Sequence, residues 1–284
     1  LEQLADVYHH LVAAGLDRRS AVVALGGGVV GDLAGFAAAS YLRGIDFVQV
    51  PTTLLAQVDA SVGGKTGIDL PEGKNLVGAF HQPRLVFIDL QTLDTLPEPD
   101  YRAGLAEIIK YGVIWDPELF RFLEVNRTAV LAHQPEELEH LVARSCEIKA
   151  EVVGRDEREG GLRAVLNYGH TIGHAVEAVA GYGRYLHGEA VAIGMAAAGR
   201  LAARRGWLPE STAQRIETLI REYGLPARLR EPLPVGPLME AMLRDKKTQS
   251  GELRFILARD IGRVEVAPVA AEDVRAVLET VGAE

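Results

Sequence analysis

The first part of the chain alternates short apolar runs with glycine turns and helix-like patterns. Residues 21–25, 47–50 and 85–89 are each predicted to form a buried strand, and a helix rich in small residues follows the first strand as far as Ser40. Apolar residues also recur at helical spacing at the start of the chain, at Leu1, Leu4, Val7 and Leu11. Strands that alternate with helices in this way indicate an α/β layer.

From about Pro97 the pattern changes to long stretches with a period of 3.6 residues. These predict helices over about 99–115, 135–158, 163–180, 187–205 and 209–223. Two short β-rich segments, 253–258 and 263–266, precede a final helix. We therefore predict an α/β N-terminal domain over 1–96 and a mostly α-helical domain over 97–284.

Composition narrows the class of protein. The net charge of −9 argues against a nucleic-acid partner, because binding to a phosphate backbone needs a basic face. No apolar run approaches the roughly 18 residues of a membrane helix, and the N-terminus lacks a signal-peptide pattern. A single cysteine suits a reducing compartment, so we expect a cytoplasmic protein.

Lysine is rare in this chain. Of its 30 basic residues only six are lysines: Lys65, Lys74, Lys110, Lys149, Lys246 and Lys247. The planar fork of arginine cannot replace the compact ammonium of lysine at a tight phosphate or alkoxide site. The retained lysines therefore indicate candidate functional positions, against the alternative that they survive by chance on the surface.

The glycines at 26–28 follow a predicted strand and precede a predicted helix. Such a turn suits a pyrophosphate, because glycine lets the backbone approach and the helix N-terminus presents N–H groups. The spacing is neither the Rossmann pattern nor a Walker loop, and a turn needed only for close packing is the alternative. A second glycine cluster at 61–66 contains Lys65, with Thr52, Thr53 and Asp59 nearby in sequence.

Three histidines lie within eighteen residues. His170 and His174 are four residues apart, and His187 follows. Upstream, Glu107 and Lys110 share a predicted helical face. Two histidines and one carboxylate with an open position are typical of a catalytic Zn²⁺ site, against the alternative of ordinary surface or core histidines. Spacing alone favours His170 and His174 as the ligand pair, because they lie on one helical face.

The cationic positions also favour an acidic substrate, since a local positive field in an acidic protein attracts anions. They are Lys65, the pair Lys74 and Asn75, Lys110, Lys149, Arg163, and the pair Lys246 and Lys247. A solvated turn is an equally good interpretation of the last pair taken alone.

Together these stretches resemble the 3-dehydroquinate synthase family. The resemblance covers most of the chain, over residues 26–32, 40–44, 51–55, 57–66, 73–80, 104–112, 147–152, 161–177, 182–191 and 242–247. It implies an α/β NAD-binding domain followed by a mainly helical metal- and substrate-binding domain, usually in a homodimer, with NAD⁺ and Zn²⁺ or Co²⁺ as cofactors.

The resemblance also implies a reaction. The substrate is a seven-carbon keto-acid sugar phosphate, 3-deoxy-arabino-heptulosonate 7-phosphate. NAD⁺ oxidises its C5 alcohol, which acidifies the neighbouring carbon and allows phosphate elimination. The ketone is then reduced back, the ring opens, and an intramolecular aldol step gives 3-dehydroquinate. NAD⁺ is therefore regenerated within each turnover.

Residue roles carry over by position. The implied metal ligands are Glu107, His170 and His187, which differs from the pair favoured by spacing. The implied substrate and proton-transfer residues are His174, Lys110, Lys65, Asn75, Lys149, Arg163, Asn167, Arg43, Lys246 and Lys247. Among these, Lys149 and Arg163 suit the carboxylate, His174 lies near the phosphate and the transferred proton, and Arg43 reaches in from a neighbouring subunit. The implied NAD contacts are Gly27, Gly28, Asp32, Thr52, Thr53, Asp59, Lys65, Lys74 and Thr95.

Several alternatives stay open. Another sugar phosphate cyclase could make an inosose, a valiolone or an amino-dehydroquinate, although Arg163 and Lys149 favour a carboxylate-bearing substrate. A metal-dependent polyol dehydrogenase would release NADH, and a non-catalytic remnant would only bind nucleotide or metal. Members of the family normally extend further before the equivalent of Leu1, with early strands and an acidic motif that helps to hold the adenosine, so we expect the NAD-binding domain to be N-terminally incomplete.

Overall fold

The chain forms two compact units. The structure, a computed structural model, describes residues 1–70, 73–157, 161–181, 183–245 and 253–284, without the side chains of residues 74, 75 and 245. The first unit comprises Leu1–Pro97 and Ser145–Glu151, and the second comprises Glu98–Arg144 and Val152–Glu284. The middle of one long helix in the second half of the chain therefore groups with the N-terminal residues.

The first unit is an α/β layer. Its helices and strands are α1 Glu2–Ala13, β1 Ala21–Gly26, α2 Gly28–Ser40, β2 Asp46–Pro51, β3 Lys65–Leu70, β4 Gly73–Phe80 and β5 Leu85–Val86. Three strands form a parallel sheet in the order β1-β2-β5, with Ala21 opposite Asp46. The predicted helices and the first two predicted strands are confirmed, but the predicted burial of the first strand is wrong, because Val23 and Leu25 are 63% and 66% exposed. The third strand is shorter than predicted, because Asp89 accepts a hydrogen bond from the Gln91 amide at 2.9 Å and begins a 3₁₀ turn.

Helix α2 packs closely on the strands of its own unit. A Cβ atom at Gly35 would lie 2.4 Å from Thr66 Cγ2 and 3.1 Å from the Phe47 ring, so only glycine fits. Ala38, Ile45 and Phe47 form a buried cluster beside this contact. The small residues that marked α2 in the sequence therefore set its distance from its neighbours.

The hairpin of β3 and β4 is absent from the sequence prediction. Lys65 pairs with Phe80 and Gly67 with Gly78 in antiparallel register. A Cβ at Gly78 would lie 2.1 Å from the Thr66 carbonyl oxygen, so the strands approach at glycine positions. Glycine carries no side chain, and the alternation of apolar and polar residues that identifies a strand is interrupted at these positions.

The second unit is mainly helical. Its elements are α3 Glu98–Ile114, α4 Pro117–Leu131, both ends of α5 Pro135–Arg155, α6 His170–Ala180, α7 His187–Arg204, α8 Glu210–Glu222, α9 Val235–Asp245, β6 Leu253–Asp260, β7 Arg263–Val269 and α10 Ala271–Thr280. Most of these were predicted, including the late β-hairpin and the final helix, but α4 and α9 were not. None of the described helices is long and apolar enough to cross a membrane.

The prediction of one helix over 163–180 is wrong. Leu162–Asn167 forms a 3₁₀ turn, and α6 begins only at His170. Between them Gly169 adopts φ +80°, where a Cβ would lie 2.6 Å from Met195 Cγ and 2.8 Å from the Val191 carbonyl oxygen. The apolar periodicity continues across this break because both segments bury their apolar residues, so the pattern could not reveal it.

Candidate metal centre and dinucleotide turn

Three helices of the second unit bring two imidazoles and one carboxylate together. Glu107 lies in α3, His170 begins α6 and His187 begins α7, and one ligand atom from each lies within 4.8 Å of the others. The Nε2 atoms of His170 and His187 are each 3.6 Å from Glu107 Oε1. Ligands around a tetrahedral Zn²⁺ lie about 3.3 to 3.5 Å apart, as its bond lengths of roughly 2.0 to 2.2 Å require. The donor set and its spacing therefore fit Zn²⁺ or Co²⁺.

Glycines set the distances between these helices. A Cβ at Gly188 would lie 1.9 Å from the Ala103 carbonyl oxygen in α3, and one at Gly194 would lie 1.9 Å from the Gly169 carbonyl oxygen. Helix α7 therefore packs backbone against backbone on α3 and on the start of α6. This close approach is what carries His187 toward Glu107 and His170.

The entry into α7 is held by Glu189. Its carboxylate accepts a hydrogen bond from the Leu186 amide at 2.9 Å, which satisfies one of the amide groups at the start of the helix. Arg230 pairs with the same carboxylate. These two contacts of Glu189 anchor the start of α7, whose first residue is His187.

The two imidazoles differ in their electrostatics. Burial lowers the pKa of His170 to about 3, so its ring is neutral at physiological pH. Burial also acts to lower the pKa of His187, but hydrogen bonds to Glu107 and Glu177 outweigh it and raise that pKa to about 9. A metal binds the neutral imidazole, so a metal held by His187 would displace a proton from it.

Lys110 lies one turn after Glu107 on α3. Its side chain is only 2% exposed, that of Glu107 is fully buried, and the two form an ion pair. A buried carboxylate without a compensating charge costs several kcal/mol, on the order of 3 to 5. The ammonium therefore offsets part of the cost of burying the Glu107 carboxylate beside the histidines.

His174 lies one turn after His170 on α6, but the two histidines belong to different candidate metal-binding sets. It belongs to a second group, with Glu177 and His187, whose ligand atoms also lie within 4.8 Å of one another. Glu177 was not among the predicted site residues. Its spacing, three residues after His174 and seven after His170, would have placed it on the same helical face.

Two further predicted residues lie on the 3₁₀ turn before α6. Arg163 is 2% exposed, and its guanidinium donates a hydrogen bond to the Glu157 carbonyl oxygen at 2.5 Å. Its backbone amide donates to Asp156 Oδ2 at 2.9 Å. Asn167, at the end of the turn, is exposed. Asp156 and Glu157, just after the end of α5, thus hold Arg163 through both its backbone and its side chain.

In the first unit the glycine turn joins β1 to α2, and Gly27 is the residue before the helix. The Thr52 amide donates to the Gly26 carbonyl oxygen at 2.9 Å. A Cβ at Gly27 would lie 3.2 Å from Thr53 Cγ2, so the turn approaches Thr53 at a position without a side chain. The first amide groups of a helix have no acceptor within it, and here they follow Gly27, close to the two threonines.

Lys149 and Asp59 form a pair within the first unit. The Lys149 ammonium donates to the Asp59 carbonyl oxygen at 2.5 Å and to Asp59 Oδ1 at 2.7 Å. Burial, followed by repulsion from Asp69, raises the pKa of Asp32 to about 6, an effect that Lys149 partly offsets. The predicted residues Asp32, Asp59 and Lys149 therefore interact electrostatically.

Three further predicted residues are exposed in the described part of the chain. Lys65, at the start of β3, and Thr95, at the end of a 3₁₀ turn, are exposed. Arg43 is exposed and has φ +71°, a strained conformation for a residue other than glycine. The side chains of Lys74 and Asn75, and the whole of Lys246 and Lys247, lie outside the described residues.

Comparison with known proteins extends these observations. A family model described as 3-dehydroquinate synthase N-terminal matches residues 1–103, and one described as 3-dehydroquinate synthase C-terminal matches residues 104–248. A relative from Pelobacter propionicus, named 3-dehydroquinate synthase, is 58% identical over 94% of this chain and 74% of its own length.

Two solved structures are similar over the described fold. One is 2-epi-5-epi-valiolone synthase from Streptomyces hygroscopicus subsp. jinggangensis 5008 with NAD⁺ and Zn²⁺ bound, at 34% identity and a TM-score of 0.92, covering 99% of this chain and 78% of that one. The other is 2-deoxy-scyllo-inosose synthase complexed with carbaglucose-6-phosphate, NAD⁺ and Co²⁺, at 29% identity and a TM-score of 0.88, covering 98% and 79%.

The fold and the histidine–carboxylate cluster define the class, which is that of the NAD- and metal-dependent sugar phosphate cyclases. Within this class, the chain belongs to the 3-dehydroquinate synthase family. The resemblance inferred from the motifs is thereby confirmed. The alternatives of another cyclase or a polyol dehydrogenase are not favoured, because relatives at 50% to 58% identity bear the family name.

Proposed function

We propose that this protein converts 3-deoxy-arabino-heptulosonate 7-phosphate into 3-dehydroquinate and phosphate, as a phosphate-eliminating lyase. The observation that carries the proposal is the convergence of Glu107, His170 and His187 in a chain of this family. That cluster supplies a place for a metal that would polarise a substrate alcohol for oxidation by NAD⁺.

The proposed metal ligands are Glu107 Oε1 and the Nε2 atoms of His170 and His187, supported by their mutual distances. A divalent cation held there supplies Lewis acidity, which lowers the pKa of a hydroxyl on the substrate. We assign Lys110 to the substrate hydroxyls beside the metal, because its ammonium is fixed against Glu107 by the buried ion pair.

His174 is proposed to handle a proton near the phosphate. Its ring centre is 5.3 Å from that of His170 and 6.0 Å from that of His187. A histidine one helical turn from a ligand, but not itself bound, is placed to act as a general base and acid. This role separates His174 from the proposed ligands, although all three histidines lie close together.

The proposed anion-binding residues are assigned by position and chemistry. Arg163 and Lys149 hold the substrate carboxylate. The phosphate and ring hydroxyls are assigned to Lys65, Asn75, Asn167 and one of Lys246 and Lys247. Support for Arg163 comes from its burial and from the hydrogen bonds that fix it, since a planar guanidinium held in place suits a carboxylate.

NAD⁺, which accepts and returns a hydride, is assigned to the first unit. The turn at Gly27 and Gly28 suits its pyrophosphate, because the start of α2 presents backbone amides there. The other proposed contacts are Asp32, Thr52, Thr53, Asp59, Lys65, Lys74 and Thr95. Close packing of Gly27 against Thr53 supports their sharing one site.

We further propose a cytoplasmic homodimer in which Arg43 reaches the site of the neighbouring subunit. The exposure of Arg43 and its strained backbone support this role, because such conformations occur where function requires them. The single cysteine and the absence of a membrane-spanning helix among the described residues are compatible with the proposed location.

The decisive experiment follows the reaction with NAD⁺ and metal supplied. NMR should identify 3-dehydroquinate as the product from the heptulosonate phosphate, with one phosphate released per molecule. Absorbance at about 340 nm should show no net NADH, because the hydride taken early is returned later. Stoichiometric accumulation of NADH would contradict the proposal and support a polyol dehydrogenase.

A further inference from the structure

Both ring nitrogens of His187 face a carboxylate. Nε2 is 3.6 Å from Glu107 Oε1, and Nδ1 is 3.4 Å from Glu177 Oε2. A histidine that binds a metal through one nitrogen keeps a proton on the other, and that N–H group needs an acceptor. Nε2 of His187 is therefore available to bind a metal beside Glu107, while Nδ1–H can donate a hydrogen bond to Glu177.

His170 has the same arrangement with a different acceptor. Its Nε2 is 3.6 Å from Glu107 Oε1, and its Nδ1 is 3.2 Å from the Tyr168 carbonyl oxygen. A carbonyl oxygen can only accept a hydrogen bond, so this contact places the proton of His170 on Nδ1. The Nε2 atoms of both histidines are thus directed toward the same oxygen of Glu107.

Glu177 lies on α6 and its side chain is only 5% exposed. Its neighbours Ala175 and Val176 are buried apolar residues of the same helix. An ionised carboxylate is costly in such surroundings unless hydrogen bonds compensate for its lost hydration. The contact with His187 Nδ1 contributes to this compensation, so it helps to explain how a glutamate is accommodated at this buried position.

We infer that Glu177 is a positioning residue that holds His187 as the Nδ1–H tautomer and leaves Nε2 for the metal. This inference rests on the proposed metal site. Glu177 would act through His187 alone, without touching the substrate or the metal, in the way that the Tyr168 carbonyl group acts on His170.

The rival assignment makes Glu177 itself a ligand, in the second group with His174 and His187. Two observations favour the first group. The Nε2 atoms of both His170 and His187 converge on Glu107 Oε1 at equal distances. Glu107 and His170 are both buried, whereas His174 in the second group is only partly buried.

Zinc affinity of the full chain, measured by competition with a chromophoric chelator, tests the inference. Glu177→Ala should still bind one zinc per chain at saturation, with roughly 10- to 100-fold weaker affinity. Glu177→Gln should restore most of the affinity, because its amide oxygen can accept the same Nδ1–H hydrogen bond. Glu217→Ala is the matched control, since it removes a partly buried carboxylate that pairs with Arg200 and Arg221, and it should bind zinc normally.

Long-range ¹H–¹⁵N NMR of the zinc-loaded protein gives a readout that a merely structural role would not move. In the wild type and in Glu177→Gln, His187 should carry its proton on Nδ1. In Glu177→Ala the zinc-bound ring must keep this proton on Nδ1, but the proton should exchange with water faster, because its acceptor is gone. A proton on Nε2 of His187 in the wild type would overturn the inference even if the alanine variant failed to fold.

The variant Glu107→Ala distinguishes a failure of the role inferred for Glu177 from a failure of the proposed metal site. Loss of zinc from Glu107→Ala with unchanged affinity in Glu177→Ala would overturn the role of Glu177 and leave the metal site intact. Zinc retained by Glu107→Ala but absent from Glu177→Ala would identify the second group as the metal site and overturn both.

Discussion

Replacing Gly188 by alanine tests whether the contact between α3 and α7 sets the geometry of the metal site. The new Cβ would lie 1.9 Å from the Ala103 carbonyl oxygen, whereas ordinary contacts begin at 3.4 Å. The helix backbones must therefore separate locally by about 1.5 Å, the difference between these values. Overpacking of this kind costs roughly 1 to 3 kcal/mol of stability.

The separation acts directly on the proposed ligands, because Gly188 follows His187 and Ala103 lies one turn before Glu107. The distance of 3.6 Å between His187 Nε2 and Glu107 Oε1 would rise toward about 5 Å. Two atoms bound to one Zn²⁺ at roughly 2.0 to 2.2 Å can be at most about 4.3 Å apart. We therefore expect Gly188→Ala to lose one ligand and most of its zinc.

Metal analysis of the purified variant gives the measurement, with a thermal unfolding curve to confirm that it is folded. Gly199→Ala is the matched control on the same helix, because its Cβ would have no neighbour closer than 3.9 Å. It should keep stoichiometric zinc and gain up to about 1 kcal/mol from helix propensity. Wild-type zinc affinity in Gly188→Ala would refute the reasoning.

Three further predictions concern single side chains. His174→Ala should keep stoichiometric zinc and lose most of its turnover, whereas His187→Ala should lose zinc; metal analysis showing the reverse would exchange their roles. Lys149→Met and Arg163→Met should each weaken substrate binding at least a hundred-fold, because a carboxylate left without its charged partner costs about 3 to 5 kcal/mol. Both variants should leave NAD⁺ binding nearly unchanged, and calorimetry with each ligand would check this. The raised pKa of Asp32 means that the folded protein binds more protons than the unfolded chain between pH 3.8 and about 6, so Asp32 lowers stability as the pH rises through this range. Asp32→Asn should therefore be more stable than the wild type at pH 8, by up to about 3 kcal/mol in the free energy of unfolding measured with urea. The two proteins should not differ below about pH 4. Equal stability at pH 8 would contradict the assigned cost of burying Asp32.

The local sequence pattern was sufficient to predict a helix or strand where the apolar residues keep one regular spacing throughout that element. The small-residue helix after the glycine turn, the apolar strands on either side of it and the long amphipathic helices appear in the structure close to their predicted positions. Pattern failed where glycine governs the backbone. It missed the hairpin of β3 and β4, and it ran one helix through Gly169, whose positive φ ends the 3₁₀ turn and allows α6 to begin at His170.

For the candidate site, residue types and spacing left the pairing of the ligands open, and only the family resemblance implied Glu107, His170 and His187. Spacing favoured His170 with His174, because two positions four residues apart share a helical face. The tertiary structure instead brings His170 and His187 to Glu107, from three helices of which α3 lies far before α6 and α7 in the sequence. This convergence depends on backbone contacts at Gly188 and Gly194, which admit no side chain. Periodicity reports only the face on which a residue lies, so the distance between helices, and with it the choice of ligands, was decided by the packing of the folded chain.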